Sequence, residues 1–223
     1  MTQARTRVDE RERLRAELLA RVPSWYLPWL HLAIPSAFAI AVVASALAGL
    51  DDVTGWELLA VPLTYVITNA NEWRIHRDLL HRRSPVAPLL YTRHTPEHHA
   101  LYVAGDMQMR DRREFRLVLI PAYGLFLIFA SLAPVAGALW LIVGRNVALL
   151  YTATAMAYAL LYEWLHLAYH LPPESPIGRV RAVSFLRRHH EIHHDPRLMR
   201  HWNFNVTVPL WDWVRGTLIK DPA

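Results

Sequence analysis

The chain has 223 residues, of which 53% are hydrophobic, and it contains 13 histidines and no cysteine. The absence of cysteine excludes thiolate metal sites, iron–sulfur clusters and disulfides, so any bound metal must be held by nitrogen and oxygen ligands. The formal charge of +5 does not indicate a nucleic-acid binder, because the arginines flank apolar runs and form no basic stripe interleaved with aromatic residues. The charge instead predicts membrane topology.

Residues 1–26 alternate arginine with acidic residues and predict a cytoplasmic, amphipathic or solvated N-terminal segment. We expect residues 27–223 to form a single membrane-embedded catalytic domain. From Leu27 to Leu50 no side chain is formally charged, and about 20 apolar residues suffice to cross a bilayer. This stretch predicts the first transmembrane helix.

Three further apolar stretches follow, and the first of them, residues 58–71, is short for a span. Residues 117–144 and 146–162 are uncharged and are separated only by Arg145. Because Pro121 and Pro134 can bend or break this region, hydropathy alone allows two or three crossings there. We expect an all-α fold, a bundle of about four transmembrane helices with a cytoplasmic, histidine-rich helical cap.

Basic residues predict the orientation of this bundle. Six of the 24 lysines and arginines precede Leu27, nine lie between Trp73 and Arg116, eight follow Tyr162, and Arg145 stands alone. Since positive charge favours the cytoplasmic side, both termini and the 73–116 loop are predicted to be cytoplasmic, in a multi-pass protein of the inner or plasma membrane. An even number of crossings in each half of the chain then places all the histidine clusters on one face.

Ten histidines occur in four clusters beside the apolar stretches, and their spacing is more informative than their number. On a helix, residues four apart share a face, so His94 and His98 are expected to point together with His99 directed elsewhere, whereas residues five apart diverge. Each cluster alone could be a solvated or interfacial face, but ten imidazoles exceed the three or four ligands of one metal and suit two. The predicted metal ligands are His76, His81, His94, His98, His99, His166, His170, His190, His193 and His194.

These four clusters, together with the ending from Asn203 to Thr217, resemble the fatty acid hydroxylase/sterol desaturase superfamily of membrane di-iron enzymes, over roughly Trp56 to Leu218. One departure is visible: the second box is commonly written His-x-x-His-His, whereas three residues separate His94 from His98 here. The resemblance implies an O2-dependent di-iron hydroxylase acting on a membrane-dissolved acyl or other apolar lipid. It also implies catalytic roles for every predicted ligand except His94.

The resemblance further implies two iron ions, with O2 as co-substrate, although a purified sample could carry zinc. The chain has no dinucleotide fingerprint, haem domain or iron–sulfur ligands, so we expect an external reductant delivered by a separate electron-transfer protein. A carotenoid-ring hydroxylase or a sterol or acyl desaturase remains an alternative with the same chemistry. A membrane metal-binding or transport protein is an alternative of another class. The sequence gives neither the oligomeric state nor the substrate.

Ligating histidines usually donate their second N–H to a carboxylate or carbonyl, which fixes the tautomer. Five residues near the clusters were therefore predicted to support the ligands, namely Glu72, Glu163, His189, His201 and Asn203. The segment Trp211-Asp212-Trp213 was interpreted as packing and surface anchoring. The charged loop of residues 106–114 was interpreted as lying at the lipid headgroups.

Overall fold

The computed structural model describes residues 2–85 and 87–220, and within these residues it is helical with no β-strand. Two 3₁₀ turns, Glu57–Leu59 and Arg112–Glu114, and two π-helical turns, His76–Leu80 and Arg93–His98, separate the α-helices. The α-helices are α1 (Thr2–Ala20), α2 (Pro28–Ala48), α3 (Ala60–Ile75), α4 (Pro88–Thr92), α5 (His99–Leu101), α6 (Phe115–Val118), α7 (Gly124–Ile142), α8 (Arg145–Tyr169), α9 (Arg181–His193) and α10 (Leu210–Arg215).

The longest helix, α8, is the centre of an apolar stem and packs against α2, α3 and α7. It begins directly after Gly144, whose φ of 142° lies in a region that L side chains rarely adopt. Ala39, Leu125 and Met156 form the buried centre of the contact between α2, α7 and α8. The small side chain of Ala39 allows the helices to approach closely at this point.

Two helices, α2 and α7, are long and apolar enough to cross a membrane. Helix α3 has 16 residues, about 24 Å of helix, which is shorter than the roughly 30 Å hydrocarbon core. Helix α8 is long enough, but it carries Arg145 and Glu163 and buries one face in the protein. Four membrane spans are therefore not confirmed: the described residues contain two candidates.

The other end of the molecule is a cap with its own apolar core, which includes Leu18, Tyr102 and Phe115. The buried carboxylate of Glu114 accepts hydrogen bonds from Arg15 of α1 and from the hydroxyl of Tyr102 (2.6 Å). One face of α1 is thus buried against the cap.

The loop of residues 106–114 lies beneath α1, where Met107 and Met109 are buried in the cap core. Arg11 and Arg15 of α1 bind its acidic residues Asp106 and Glu114. Part of this loop is therefore directed towards the protein, whereas Gln108, Arg110, Asp111 and Arg112 are exposed. That the loop lies at the lipid headgroups stays a prediction.

Candidate metal centre

The ten predicted histidines all meet in the cap, where they form two separate groups of five buried rings. Within each group, one ring nitrogen of every histidine lies within 4.8 Å of the others. The first group is His76, His81, His94, His99 and His193, and the second group is His98, His166, His170, His190 and His194. The groups touch where the rings of His99 and His194 stack with their centroids 4.0 Å apart.

Two π turns build most of the first group. In a π turn the hydrogen bond runs from residue i+5 to residue i, so residues five apart stand one turn apart. The amide of His81 donates to the carbonyl of His76 (3.2 Å), and the amide of His99 donates to that of His94. Both pairs therefore point into one group. The expectation that His94 and His98 share a site was wrong, and the wide spacing of this box is what the π turn requires.

The second group follows ordinary α-helical spacing. His166 lies on α8 and His170, four residues later, caps the end of that helix. Their ring centroids lie 5.2 Å apart. His190 and His194 are also four apart, at the end of α9, with their Nε2 atoms 3.0 Å apart. His193, three residues after His190, faces the first group instead. Residues four apart in these two boxes therefore belong to the same group, as helical spacing predicts, whereas the residue three apart does not.

Backbone carbonyls hold the orientation of half of these rings. A ring that donates its Nδ1–H to a carbonyl is fixed in one neutral tautomer, which leaves the Nε2 lone pair free for a metal. Five such pairs are present: His76 with Phe204, His98 with Leu117 (3.2 Å), His170 with Met107 (2.7 Å), His193 with Trp202 (2.8 Å) and His194 with Tyr102 (2.6 Å). Backbone carbonyls thus fix the tautomer and the orientation of these rings, a role that was predicted for the carboxylates of Glu72 and Glu163.

The inward nitrogens are arranged as a cation would require. The Nε2 atoms of His81 and His193 are 2.9 Å apart. His193 donates Nδ1–H to Trp202, and Nδ1 of His81 lies 3.2 Å from Thr95 Oγ1, whose own proton goes to the Leu80 carbonyl. Two lone pairs therefore face each other. Ligands about 2.1 Å from a metal at right angles are about 3 Å apart, so this contact fits a shared ion.

Other inward nitrogens are buried and lack any protein partner in the described residues, including Nε2 of His98 and of His170. An unpaired buried polar atom costs about 1–3 kcal/mol, so such atoms are rare without a ligand. Five imidazoles also exceed the four ligands usual for zinc, whereas imidazole suits iron equally well. Both groups fit a metal ion on these grounds.

Burial keeps these rings neutral. It lowers the pKa of His76 to about 3, further depressed by neighbouring histidines. Burial and nearby histidines likewise lower the pKa of His81, His94, His98, His99, His190, His193 and His194 well below the usual value near 6.5. At neutral pH the lone pairs are therefore available to a metal without loss of a proton.

The two predicted carboxylate partners do not bind the histidines. Glu72 is buried and accepts hydrogen bonds from Tyr158, from the Thr207 hydroxyl (2.6 Å) and amide (3.1 Å), and from the Val206 amide. It therefore fixes the backbone beside Phe204, whose carbonyl holds His76. Glu163 accepts the amide of Ile120 (3.0 Å). The prediction of direct carboxylate–histidine contacts was wrong, since the nearby carbonyls already occupy the Nδ1 donors of His76 and other ligands.

The other three residues predicted to support the ligands differ in how close they lie to the histidine groups. Asn203 is buried with a positive φ of 57°, and its amide binds the carbonyls of His189 (3.1 Å) and Ile219 (2.9 Å). His189 lies 3.3 Å from Asp212 and reaches no ligand directly. His201 is exposed, which contradicts its assignment as a supporting residue.

Asp212 is the main residue that the sequence interpretation misassigned. It is fully buried, and its two oxygens accept the amides of Phe204 (2.9 Å) and Asn205 (2.8 Å). It thereby anchors the segment that supplies carbonyls to His76 and His193. The sequence did contain a sign of burial, because Asp212 stands between two tryptophans and is the one charged residue in the segment 203–214. Trp213, by contrast, is exposed as expected of a surface anchor.

Comparison with known proteins agrees with this geometry. The two groups of five buried histidines could each hold a metal ion through nitrogen ligands alone. The fatty acid hydroxylase family model matches residues 61–217, well over half of the chain, and the chain belongs to that family. The family is made up of membrane di-iron oxygenases and hydroxylases. No curated protein and no solved structure matches the chain.

Proposed function

We propose that the protein is an O2-dependent di-iron lipid hydroxylase that acts on a membrane-dissolved acyl or other apolar lipid. The observation that carries the proposal is the division of ten neutral, buried imidazoles into two touching groups of five. A mononuclear enzyme has no use for a second complete ligand set. A desaturase would use the same arrangement of histidines. Analysis of the lipid product distinguishes the two activities.

In this proposal the first group holds one iron and the second group holds the other. Bound iron supplies the redox chemistry by which O2 is activated and a C–H bond is oxidised. The chain's own residues contribute orientation, because the carbonyls of Phe204 and Tyr102 hold a ligand of each group in the correct tautomer. Burial excludes bulk water from the site.

Membrane insertion is part of the same proposal. Only 6% of the apolar window of α7 is buried in the protein, so α7 is not a core helix of a soluble fold. An apolar helix of 19 residues that is exposed over most of its surface favours contact with lipid. Helices α2 and α7 both begin at the cap, and we propose that the cap with the metal centre is cytoplasmic, as the arginine distribution indicates.

The external reductant is also proposed. Oxygenation of a C–H bond consumes two electrons, which a separate electron-transfer protein would deliver to the cap.

The test is incorporation of ¹⁸O from ¹⁸O2 into lipids of cells that express the wild type, His98→Ala, His193→Ala or the exposed control His201→Ala. We expect labelled lipid with the wild type and with His201→Ala, and none with the two ligand variants. A new double bond without label would indicate a desaturase. Lipids without any change that depends on His98 and His193 would contradict both activities.

A further inference from the structure

A cavity of about 590 Å³ opens beside the metal centre, where α2 and α7 begin. Binding pockets for small molecules are typically about 300–1,000 Å³. Trp25, Tyr26 and Tyr123 contribute to its lining, and such aromatic residues are typical of the membrane–water interface. With α2 and α7 in the bilayer, the cavity lies at the depth of lipid headgroups.

The lining of this cavity is divided by polarity. Leu27, Leu30 and Ile34 of the α2 region provide an apolar wall, and all three are exposed to it or to the surroundings. Arg93 and Arg116 bring two positive charges, against the single acid Glu97. The cavity is therefore amphipathic with a net positive polar end.

Arg93 is held in place and is only partly used. Its Nη2 donates to the carbonyls of Arg116 and Leu119, the latter at 3.3 Å. Within the described residues, only Nη2 of Arg93 donates to a protein acceptor. Arg116 is exposed. Two guanidinium groups that line one cavity attract an anion, and their planar donor sets match a carboxylate or phosphate.

The cavity wall is fixed by a chain of hydrogen bonds. The Tyr26 hydroxyl lies 2.6 Å from Nδ1 of buried His31, and Nε2 of His31 lies 2.8 Å from the Ile120 carbonyl. The Ile120 amide in turn donates to Glu163 (3.0 Å). The wall is therefore preformed, which lowers the ordering cost of binding.

The same wall borders the second histidine group. Leu117 lines the cavity, and its carbonyl accepts the Nδ1–H of His98. Arg93 and Glu97 each directly precede a histidine of the centre along the chain. Leu117 therefore lies both against the cavity and against a histidine of the second group.

We propose that this cavity is a head-group site for a single-chain lipid with an anionic head, held by Arg93 and Arg116 with its chain along α2. That this lipid is the substrate rests on the proposed function, whereas its binding does not. The site would favour amphiphiles with a carboxylate or phosphate head over uncharged lipids such as sterols or carotenoids, which are the substrates of the alternative reactions.

The test measures binding to the metal-loaded protein in phosphatidylcholine nanodiscs, without reductant and without O2. The probes are hexadecanoate, hexadecyl phosphate and hexadecan-1-ol. We expect both anionic probes to bind at least about tenfold more tightly than the alcohol, because a charge-assisted hydrogen bond is lost with the neutral head. Arg116→Gln, which changes an exposed side chain, and Arg93→Gln should each remove most of that preference.

The matched control is Arg112→Gln, an exposed arginine four residues from Arg116 that does not line the cavity, and it should keep the full preference. Leu30→Trp should weaken all three probes by filling the cavity. Equal binding of acid and alcohol to the wild type, or an unchanged preference in both Arg93→Gln and Arg116→Gln, would overturn the proposal. Displacement of hexadecanoate by equimolar phosphatidylglycerol would also overturn it, by showing a two-chain bilayer lipid in the site. A preference that survives in a protein without oxygenase activity would refute only the proposed function.

Discussion

The two histidine groups have the same ligand type and number, yet they are built and supported differently. The first group depends on two π turns and on carbonyls of the C-terminal segment, at Phe204 and Trp202. The second group depends on α-helical pairs and on carbonyls of the cap loop, at Tyr102 and Met107. A substitution in the residues that support one group is therefore expected to weaken metal binding in that group and to leave the other group unchanged.

The largest expected effect is the loss of folding stability at low pH, because acid acts on the histidines of both groups together. In the metal-free folded protein the histidine pKa values are depressed, to about 3 for His76, whereas unfolded histidines titrate near 6.5. Below pH 6.5 the unfolded chain binds more protons, so stability is fully present above that pH and is lost as the pH falls towards 3. Each such histidine contributes up to about 1.4 kcal/mol per pH unit. Thermal unfolding at pH 7.5 and 5.5 measures this, and equal midpoints would contradict it.

Histidine pairs test the division directly, because His98 and His99 are neighbours in sequence but belong to different groups. The double variant His98→Ala/His170→Ala removes ligands from one group and should retain about half of the iron. His98→Ala/His99→Ala should lose nearly all of it, and both variants should lose activity at least about 100-fold. Iron analysis decides between the two, and equal iron loss in both doubles would refute the division.

A support of the second group is the buried pair Arg15–Glu114, since Tyr102 binds Glu114 through its hydroxyl and His194 through its carbonyl. Glu114→Gln leaves the buried guanidinium of Arg15 with only the exposed carboxylate of Glu12, 3.7 Å from its Nε, as counter-charge. We expect this to destabilise the cap by about 3 kcal/mol. Glu17→Gln, which removes an exposed ion pair on the same helix, should have little effect. Chemical denaturation of the metal-loaded protein measures both, and similar losses would show that the buried pair is unimportant.

A support of the first group is Asp212. Asp212→Asn places an amide donor against the Phe204 or Asn205 amide and loosens the segment that orients His76 and His193. We expect one of the two metal-binding steps to weaken about 10–100-fold while the other changes little. Asp195→Asn, an acid beside the ligands that pairs with exposed Arg197, is the control. Metal titration measures both steps, and equal weakening of the two would contradict separate supports.

The sequence predicted much of the centre because imidazole spacing is a local property. All ten histidines meet, and the α-helical pairs at His166/His170 and His190/His194 were assigned correctly. The π turns were not predicted, because a spacing of five residues is read at 100° per residue unless the helix is known to widen. Because of that error, His94 was grouped with His98, whereas the structure groups it with His99.

The supports were beyond sequence reasoning for a different reason. Every residue has a carbonyl, so nothing in the sequence distinguishes Tyr102 or Phe204 as acceptors. Glu72 was predicted to support a histidine ligand, but its partner is a segment more than 130 residues away. Hydropathy likewise identified α2 and α7, while the short α3 and the half-buried α8 did not qualify as spans once their length and burial were known.

The most direct test of the central claim is the iron content of protein purified without oxygen and reconstituted with Fe(II). The two groups of five histidines predict saturation at about two irons per chain, with one iron remaining when ligands of either single group are replaced. Saturation at a single iron, or less than one metal of any kind per chain, would contradict the dinuclear centre.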